Sequence, residues 1–432
     1  MHKTLLAHPA DIVGYSRLAI EAVLGLTDLV ETEHHNISLA PGVFGHPAQG
    51  GMQWVTGFVY KSIRGVATLV GSGINVGLAP LLLMGGEAKS TPEREAVLAV
   101  LNGIVGQHLA ATSNPLAITM HLRRQGLPLK LQSDALAAAI PQLTSKPLIL
   151  VHGVCLNDLQ WFRKGHDHGA ALSLDLGYTA VYLHYNSGMH ISHNGRQFAD
   201  LLEALVEQWP IPIRELAIVG HSMGGLVARS AYHYGCRASH TWPQHLRKMI
   251  FLGTPHHGAH LERWGNLINV ALDSSPYTTA FARLGKIRSA GITDLRYGNL
   301  LDDDWKGRDR FAHRRDTRLP LQLPAEVRCY AVAALKANRW TTGNGALGDG
   351  VVPVNSALGR HRDPARTLEF PPHCQWLVTA RNHFDLLSDA AVYQRIRSWL
   401  AARGNRRLKT SAEKNKRRLY RRGSRGWRAC PR

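Results

Sequence analysis

A serine flanked by glycines is the clearest candidate for chemistry in this sequence. Residues 220–224 read Gly-His-Ser-Met-Gly, which is the G-x-S-x-G pattern of a nucleophile elbow. In such an elbow the serine occupies a strained turn between a strand and a helix, and only glycine fits at the flanking positions. The pattern alone is weak evidence in a chain with 41 glycines. Its context strengthens it, because the apolar run 216–220 ends at the motif and a helix-like stretch, 224–234, follows.

A serine nucleophile needs a base, and the base needs a carboxylate that fixes its tautomer and stabilises its cation. In enzymes that use this elbow, the chain order is serine, acid, histidine. After Ser222, Asp349 stands in the glycine-flanked loop 348–353, and His383 follows the apolar run 375–380. We therefore predict a catalytic triad of Ser222, Asp349 and His383. Three rivals do not combine the right order with the right loop: His361, His373 and Asp385.

The negative oxygen that develops during attack on a carbonyl requires N–H donors. The segment Val151-His152-Gly153-Val154 ends the first predicted buried strand, and its glycine lets the backbone approach a substrate closely. We expect the backbone amides of Val154 and Met223 to form an oxyanion hole. The second amide would also benefit from the positive end of the helix that starts beneath Ser222. His152 is predicted to shape the loop by hydrogen bonding and not to act as a further catalyst.

The elements that must hold these residues predict a parallel sheet. From Pro147, short apolar runs alternate with amphipathic stretches. Near-continuous hydrophobic strands separated by helices are typical of a parallel sheet with both faces covered. The fold class is therefore predicted to be α/β, with Asp349 and His383 just beyond the carboxyl ends of strands, where such folds gather their sites. The apolar runs occupy residues 148–153, 179–185, 216–220, 249–254, 327–335 and 375–380.

The predicted domain organisation has three parts: a mainly helical region of unassigned role at 1–145, a catalytic domain at 146–402 and a basic tail at 403–432. In the first part, Thr91-Pro92-Glu93 and Asn114-Pro115 predict helix starts. Inside the catalytic domain, residues 256–324 lack a clear buried strand and are predicted to be a lid-like insertion over the Ser222 pocket. In the alternative interpretation this insertion packs away from the site.

Most of the excess positive charge lies in the tail. The chain carries a formal net charge of +20, and residues 403–432 hold thirteen Lys and Arg against one acid. The remaining charge is ordinary, so no specific nucleic-acid partner is predicted. With so little apolar content the tail is predicted to be disordered. A merely solvated tail is favoured over one that contacts acidic lipid or RNA.

Cysteine usage and the N-terminus favour a reduced, cytoplasmic setting. The five cysteines form no CxxC pair, and the N-terminus lacks the layout of a secretion signal. The stretch Gly65–Gly86 has 22 residues without a charge, long enough to span a bilayer. However, its six glycines, Asn75 and Pro80 favour a buried or membrane-touching helical pair over a true span. Contact with a membrane is therefore predicted to be peripheral.

Histidine is abundant, with 24 residues, and Gly165-His-Asp-His168 invites comparison with a metal site. Two histidines without remote partners leave a zinc site incomplete, so a loop held by polar contacts is favoured. His256 and His257 are predicted to shape the pocket wall beside the sheet. Neither a metal nor a cofactor is predicted.

As a set, the motifs resemble a known group. The sequences GHSMGG (220–225), LVHG (150–153), GTPHHG (253–258), GDGVVP (348–353) and NHFDLL (382–387) are similar to those of the lipase-like branch of the α/β-hydrolase superfamily. More distantly they resemble inositol-deacylase-like and lecithin–cholesterol-acyltransferase-like enzymes. The resemblance covers residues 146–402 and implies an eight-stranded sheet, of which the sequence shows only the last six strands.

We therefore expect a serine ester hydrolase that acts on a lipophilic ester through an acyl-enzyme. One alternative is an acyltransferase or thioesterase with the same triad. A less favoured one is a catalytically silent membrane- or partner-binding protein that uses residues 1–145 and the basic tail.

Overall fold

An eight-stranded sheet forms the centre of the structure. The computed structural model describes residues 10–21, 90–259, 289–308, 316, 318–341 and 347–402 of the 432-residue chain. The strands in chain order are β1 His121–Arg124, β2 Leu127–Pro128, β3 Pro147–Val151, β4 Thr179–His184, β5 Leu216–His221, β6 Leu246–Leu252, β7 Arg328–Leu335 and β8 Gln375–Thr379.

The strand order across the sheet is β2-β1-β4-β3-β5-β6-β7-β8. Strands β3 to β8 pair in parallel, whereas β1 runs antiparallel to both β2 and β4. Every residue of β3 and β5 is buried, because helices cover both faces and both strands consist almost wholly of apolar residues. The α/β fold class is thereby confirmed, and the carboxyl ends of the parallel strands share one edge of the sheet.

The described helices are α1 at residues 10–21, α2 Pro92–Ala111, α3 Ser133–Ala139, α4 His168–Leu176, α5 Ile191–Gln208, α6 Met223–Arg237, α7 Trp242–His245, α8 Ala290–Leu295, α9 Val354–Ala357 and α10 Ala390–Ala401. Helix α5 illustrates why they form: its buried residues Phe198, Leu202 and Leu205 recur at helical spacing. The helix start at Thr91 is confirmed, since its side chain accepts a hydrogen bond from the Arg94 amide.

Residues 1–145 contribute two short strands beside their helices, and one helix start predicted there was wrong. Strands β1 and β2 lie in this region and join the sheet. They are too short, and β1 (HLRR) too polar, to form an apolar run. Asn114-Pro115 starts no helix; the Asn114 side chain instead accepts from the Leu116 amide at 3.0 Å in a turn. We propose that the catalytic domain begins before residue 146.

The described residues form two compact units. One comprises residues 10–21, 90–94 and 108–117, and the other comprises residues 95–107 and those from 118 onward, including the whole sheet. Within the first unit, Asp11 accepts two hydrogen bonds from the Arg94 guanidinium at 2.7 and 2.6 Å.

Several predicted features lie outside the described residues. They are Gly65–Gly86, the tail at 403–432, and residues 260–288 and 309–315 of the predicted insertion. Among the helices that the structure describes, none is long and apolar enough to cross a membrane.

Candidate active site

Ser222 lies at the turn between β5 and α6 with φ 54° and ψ −125°. A non-glycine residue at such a φ costs of order 1–3 kcal/mol and persists only where its surroundings enforce it. Two backbone hydrogen bonds hold Ser222 in this conformation. The Ser222 amide donates to the Leu252 carbonyl at 2.8 Å, and the Gly225 amide donates to the Ser222 carbonyl at 3.1 Å. This strained turn is the local geometry expected of a nucleophile elbow.

Close backbone approaches explain the glycines of the motif. A Cβ on Gly224 would lie 2.2 Å from the Val151 carbonyl oxygen, and one on Gly220 would lie 2.6 Å from the Gly225 Cα. Both distances are below any normal contact and involve backbone, which cannot move aside cheaply. The elbow therefore packs directly against the loop that follows β3.

Asp349 and His383 form a buried pair. His383 Nδ1 lies 2.6 Å from Asp349 Oδ2, and the two side chains are 2% and 1% exposed. The other carboxylate oxygen, Oδ1, accepts from the amides of Val351 and Val352 at 2.9 and 2.8 Å. The carboxylate therefore accepts a hydrogen bond from Nδ1–H, which leaves Nε2 of His383 unprotonated and able to accept a proton. Among the described residues, Nε2 has no hydrogen-bond partner.

The three predicted triad residues follow strands of the same sheet and reach the same edge. Shared neighbours connect the nucleophile and the histidine: a Cβ on Gly153 would lie 3.0 Å from Ser222 Cβ and 3.2 Å from His221 Nδ1. The His221 and His383 ring centroids are in turn 4.6 Å apart. The structure thus brings the Ser222 and His383 segments together around His221.

Val154 lies in the loop after β3, and Met223 lies at the start of α6. Met223 is the first residue of α6, and amides in the first turn have no acceptor within their helix. Val154 follows β3, and the next residue, Cys155, has φ 58° and donates its amide to Ser187 Oγ at 3.1 Å. The close approach of Gly224 to the Val151 carbonyl brings the start of α6 against the end of β3, and the role of the two amides as oxyanion donors stays a prediction.

His152 shapes the β3 loop. Its Nδ1 donates to the Gly153 carbonyl at 2.8 Å, and its ring stacks on Tyr185 with centroids 4.3 Å apart. The Tyr185 hydroxyl donates to the His152 carbonyl at 2.9 Å. Burial lowers the pKa of His152 to about 3, so at neutral pH the ring is uncharged.

The rival residues have other partners. Asp385 accepts from Lys164 Nζ at 2.9 Å and from the Asn382 amide at 3.0 Å. His361 Nε2 lies 3.6 Å from Asp316 Oδ2, and His373 is exposed. None of these contacts involves Ser222.

The remaining histidine motifs make polar contacts. His166 Nε2 lies 2.7 Å from His168 Nδ1, and His168 Nε2 donates to the Leu386 carbonyl at 3.0 Å. His256 and His257 line a cleft that also includes Arg229. Within the described ranges, no group of three or more His, Cys, Asp and Glu residues is arranged to hold a metal ion.

The middle of the predicted insertion lies beside the elbow. Gly291, in α8, is so close that an added Cβ would lie 2.1 Å from the Ser187 carbonyl oxygen and 3.2 Å from Met223 Cε. Residues 260–288 and 309–315 of the insertion are outside the described residues, so the position of the insertion over the Ser222 pocket stays a prediction.

His221 is the residue that the sequence analysis did not single out. Its Nε2 donates to the His383 backbone carbonyl at 3.1 Å. His221 occupies an x position of G-x-S-x-G, where the pattern allows any residue. It is 162 residues from His383 in the chain, so no local signal marks this contact.

Comparison with known families matches residues 142–319 to the PGAP1-like alpha/beta domain. Comparison with curated proteins finds no match. Among solved structures, mature lipase BlEst2 from Bacillus licheniformis is 18% identical, with a TM-score of 0.38 over 59% of this chain and 92% of that one. Lipase B from Aspergillus fumigatus is 12% identical, with a TM-score of 0.38 over 66% and 61%.

A third match among solved structures is phospholipase PlaB from Legionella pneumophila, solved in complex with thio-NAD. It is 17% identical, with a TM-score of 0.31 over 49% of this chain and 44% of that one. This chain therefore spans less than two thirds of both the Legionella and the Aspergillus chains.

Proposed function

We propose that this chain, an α/β hydrolase with a lipase-like domain, is a serine ester hydrolase that works through an acyl-enzyme. The observation that carries the proposal is the buried Asp349–His383 pair, whose free Nε2 lies on the sheet edge where Ser222 occupies a strained elbow. The match of residues 142–319 to the PGAP1-like alpha/beta domain supports it, because that segment includes the elbow.

In the first half of the reaction, Ser222 Oγ attacks the ester carbonyl while His383 Nε2 takes its proton. The imidazolium that forms holds a proton on both nitrogens, and the Asp349 carboxylate, 2.6 Å from Nδ1, stabilises its charge. The carbonyl oxygen becomes negative, and the amides of Val154 and Met223 donate to it. Collapse of this intermediate breaks the bond to the alcohol, which leaves with the proton from Nε2.

In the second half, water takes the place of the alcohol. His383 Nε2 accepts a proton from the water as its oxygen attacks the acyl carbonyl, and the same two amides receive the negative charge. Collapse returns the proton to Ser222 Oγ and releases the carboxylic acid. The residues present supply every proton transfer in this cycle.

The proposed substrate is a lipophilic ester met at a membrane surface. Met223 lies next to Ser222 and packs beside α8 of the insertion, which places an apolar side chain and one helix of the predicted lid next to the nucleophile. Each methylene of the acyl chain that is buried against apolar side chains contributes about 0.8 kcal/mol to the free energy of binding. Longer acyl chains therefore gain affinity in proportion to the length that they bury.

We expect kcat/KM to rise from C2 to medium or longer acyl chains, by up to about fourfold per buried methylene. The measurement is initial rates of hydrolysis of p-nitrophenyl esters from C2 to C16 by the purified protein, with and without micelles. The Ser222→Ala variant serves as the blank for background hydrolysis.

Two results would contradict different parts of the proposal. Highest activity on C2 esters without an effect of micelles would exclude the lipophilic substrate and leave the ester hydrolase intact. Absence of hydrolysis for every ester in the series would contradict the hydrolase itself.

A further inference from the structure

A second buried histidine stands next to the nucleophile. His221 is the last residue of β5, and it is 1% exposed. Its Nε2 lies 3.1 Å from the backbone oxygen of His383. Since a carbonyl oxygen can only accept, Nε2 of His221 carries the proton and donates it. The mechanism above gives this group no part in proton transfer.

His221 is held as a neutral donor. Burial, and then the neighbouring His383 ring, lower the pKa of His221 well below its usual value. With its proton on Nε2, the ring leaves Nδ1 as a bare acceptor, which has no partner among the described residues. The nearest atom to a Cβ built on Gly153, apart from Ser222 Cβ, is this Nδ1 at 3.2 Å. The ring therefore makes one hydrogen bond, and that bond goes to the main chain of the proposed base.

We propose that His221 is a positioning residue that fixes the backbone of His383 relative to Ser222. The inference rests on the proposed ester hydrolase. His221 is adjacent to Ser222 and sits in register opposite Leu252 of β6, so its own backbone is held by the sheet. His383 follows β8, the edge strand, three positions away from β5 in the sheet.

A direct tether across that distance matters because the triad needs precise spacing. A misplacement of about 1 Å can cost about a hundredfold in rate. The Asp349 bond fixes the far side of the His383 ring, at Nδ1, whereas the His221 bond fixes the backbone from the side of the nucleophile. Together they fix both the orientation of the ring and the position of its backbone.

His168 offers a matched control, because it forms a similar hydrogen bond to the segment that follows His383. His168 is fully buried and donates from Nε2 to the Leu386 carbonyl at 3.0 Å. This bond has the same chemistry and ends three residues beyond His383, but it comes from α4 and not from the nucleophile strand. Removing the His168 bond therefore measures the general cost of losing a buried histidine that donates to this loop.

The experiment compares His221→Leu, His221→Gln and His168→Leu for kcat and KM on one soluble ester, together with unfolding free energy. Leucine removes the donor, whereas glutamine can place an amide N–H near the position of Nε2. We expect His221→Leu to lose about tenfold in kcat, the worth of one hydrogen bond, with KM within twofold of wild type. We expect His221→Gln to recover most of the loss, and His168→Leu to lose stability with kcat within twofold of wild type.

The inference is overturned if His221→Leu keeps the wild-type kcat, if His221→Gln is as slow as His221→Leu, or if His168→Leu loses kcat equally. If His221→Leu does not fold, His221→Asn replaces it, because its shorter amide cannot reach the carbonyl. A wild-type protein without esterase activity would instead contradict the proposed function, so the two failures are distinguishable.

Discussion

Replacing Ser222 with alanine is expected to abolish ester hydrolysis, with a loss of about 10⁴- to 10⁶-fold in kcat. Alanine has no oxygen to form the acyl-enzyme, and the residual rate would come from the oxyanion donors and substrate binding alone. The fold should survive, because the backbone bonds that hold the turn involve the amide and carbonyl of Ser222. The measurement is steady-state hydrolysis of the preferred ester, with the free energy of unfolding determined in parallel.

Ser230→Ala is the matched control for this substitution. Ser230 is a buried serine on α6, the helix that starts just after Ser222, and its hydroxyl donates to the Leu300 carbonyl at 2.7 Å. Its loss is expected to cost about 1 kcal/mol of stability and to leave kcat within a few-fold of wild type. Substantial ester hydrolysis by purified Ser222→Ala would exclude Ser222 as the nucleophile.

Asp349→Asn is expected to lower kcat by about 10³- to 10⁴-fold, although asparagine has nearly the same size as aspartate. The amides of Val351 and Val352 both donate to one side of this group, so the asparagine oxygen must face them. Its NH₂ group then faces His383 Nδ1 and requires an acceptor there. His383 is driven into the tautomer with its proton on Nε2, which cannot take the proton of Ser222.

Two further variants sharpen this prediction. His383→Ala should be about as damaging as Ser222→Ala, because a triad acts as a unit and its single losses do not add. Asp385→Asn is the control, since Asp385 lies in the same loop as His383 but forms an ion pair with Lys164. This variant should lose less than about threefold in kcat. If Asp385→Asn proved worse than Asp349→Asn, Asp385 would be the acid.

The parts of the fold that could be predicted are those whose physical demands are local. Strand β3 (PLILV) is buried on both faces, so its sequence is an uninterrupted apolar run that no exposed segment would carry. Strand β1 (HLRR) is only partly buried, and it lies between β2 and β4 near one edge of the sheet. Its polar residues lie on both faces, and four residues are too few to show an alternation.

The same distinction applies to the site. Ser222 could be found because the tight turn around it leaves no room for side chains at positions 220 and 224. Both positions are therefore glycine, which is visible in the sequence. Asp349 and His383 could be placed by their order and by the strands before them. His221 could not, because its hydrogen bond to His383 depends on how two distant strands end in the folded sheet.

The most direct test of the central claim is covalent labelling of the wild-type protein with a fluorophosphonate, followed by mass spectrometry of the peptides. A fluorophosphonate reacts with a serine that a neighbouring base has activated. We predict one adduct per chain, on Ser222, with ester hydrolysis lost in proportion to labelling and with much slower labelling of Asp349→Asn. Failure to label Ser222 while ester hydrolysis continues, or an adduct on another residue that accounts for the loss of activity, would contradict the account.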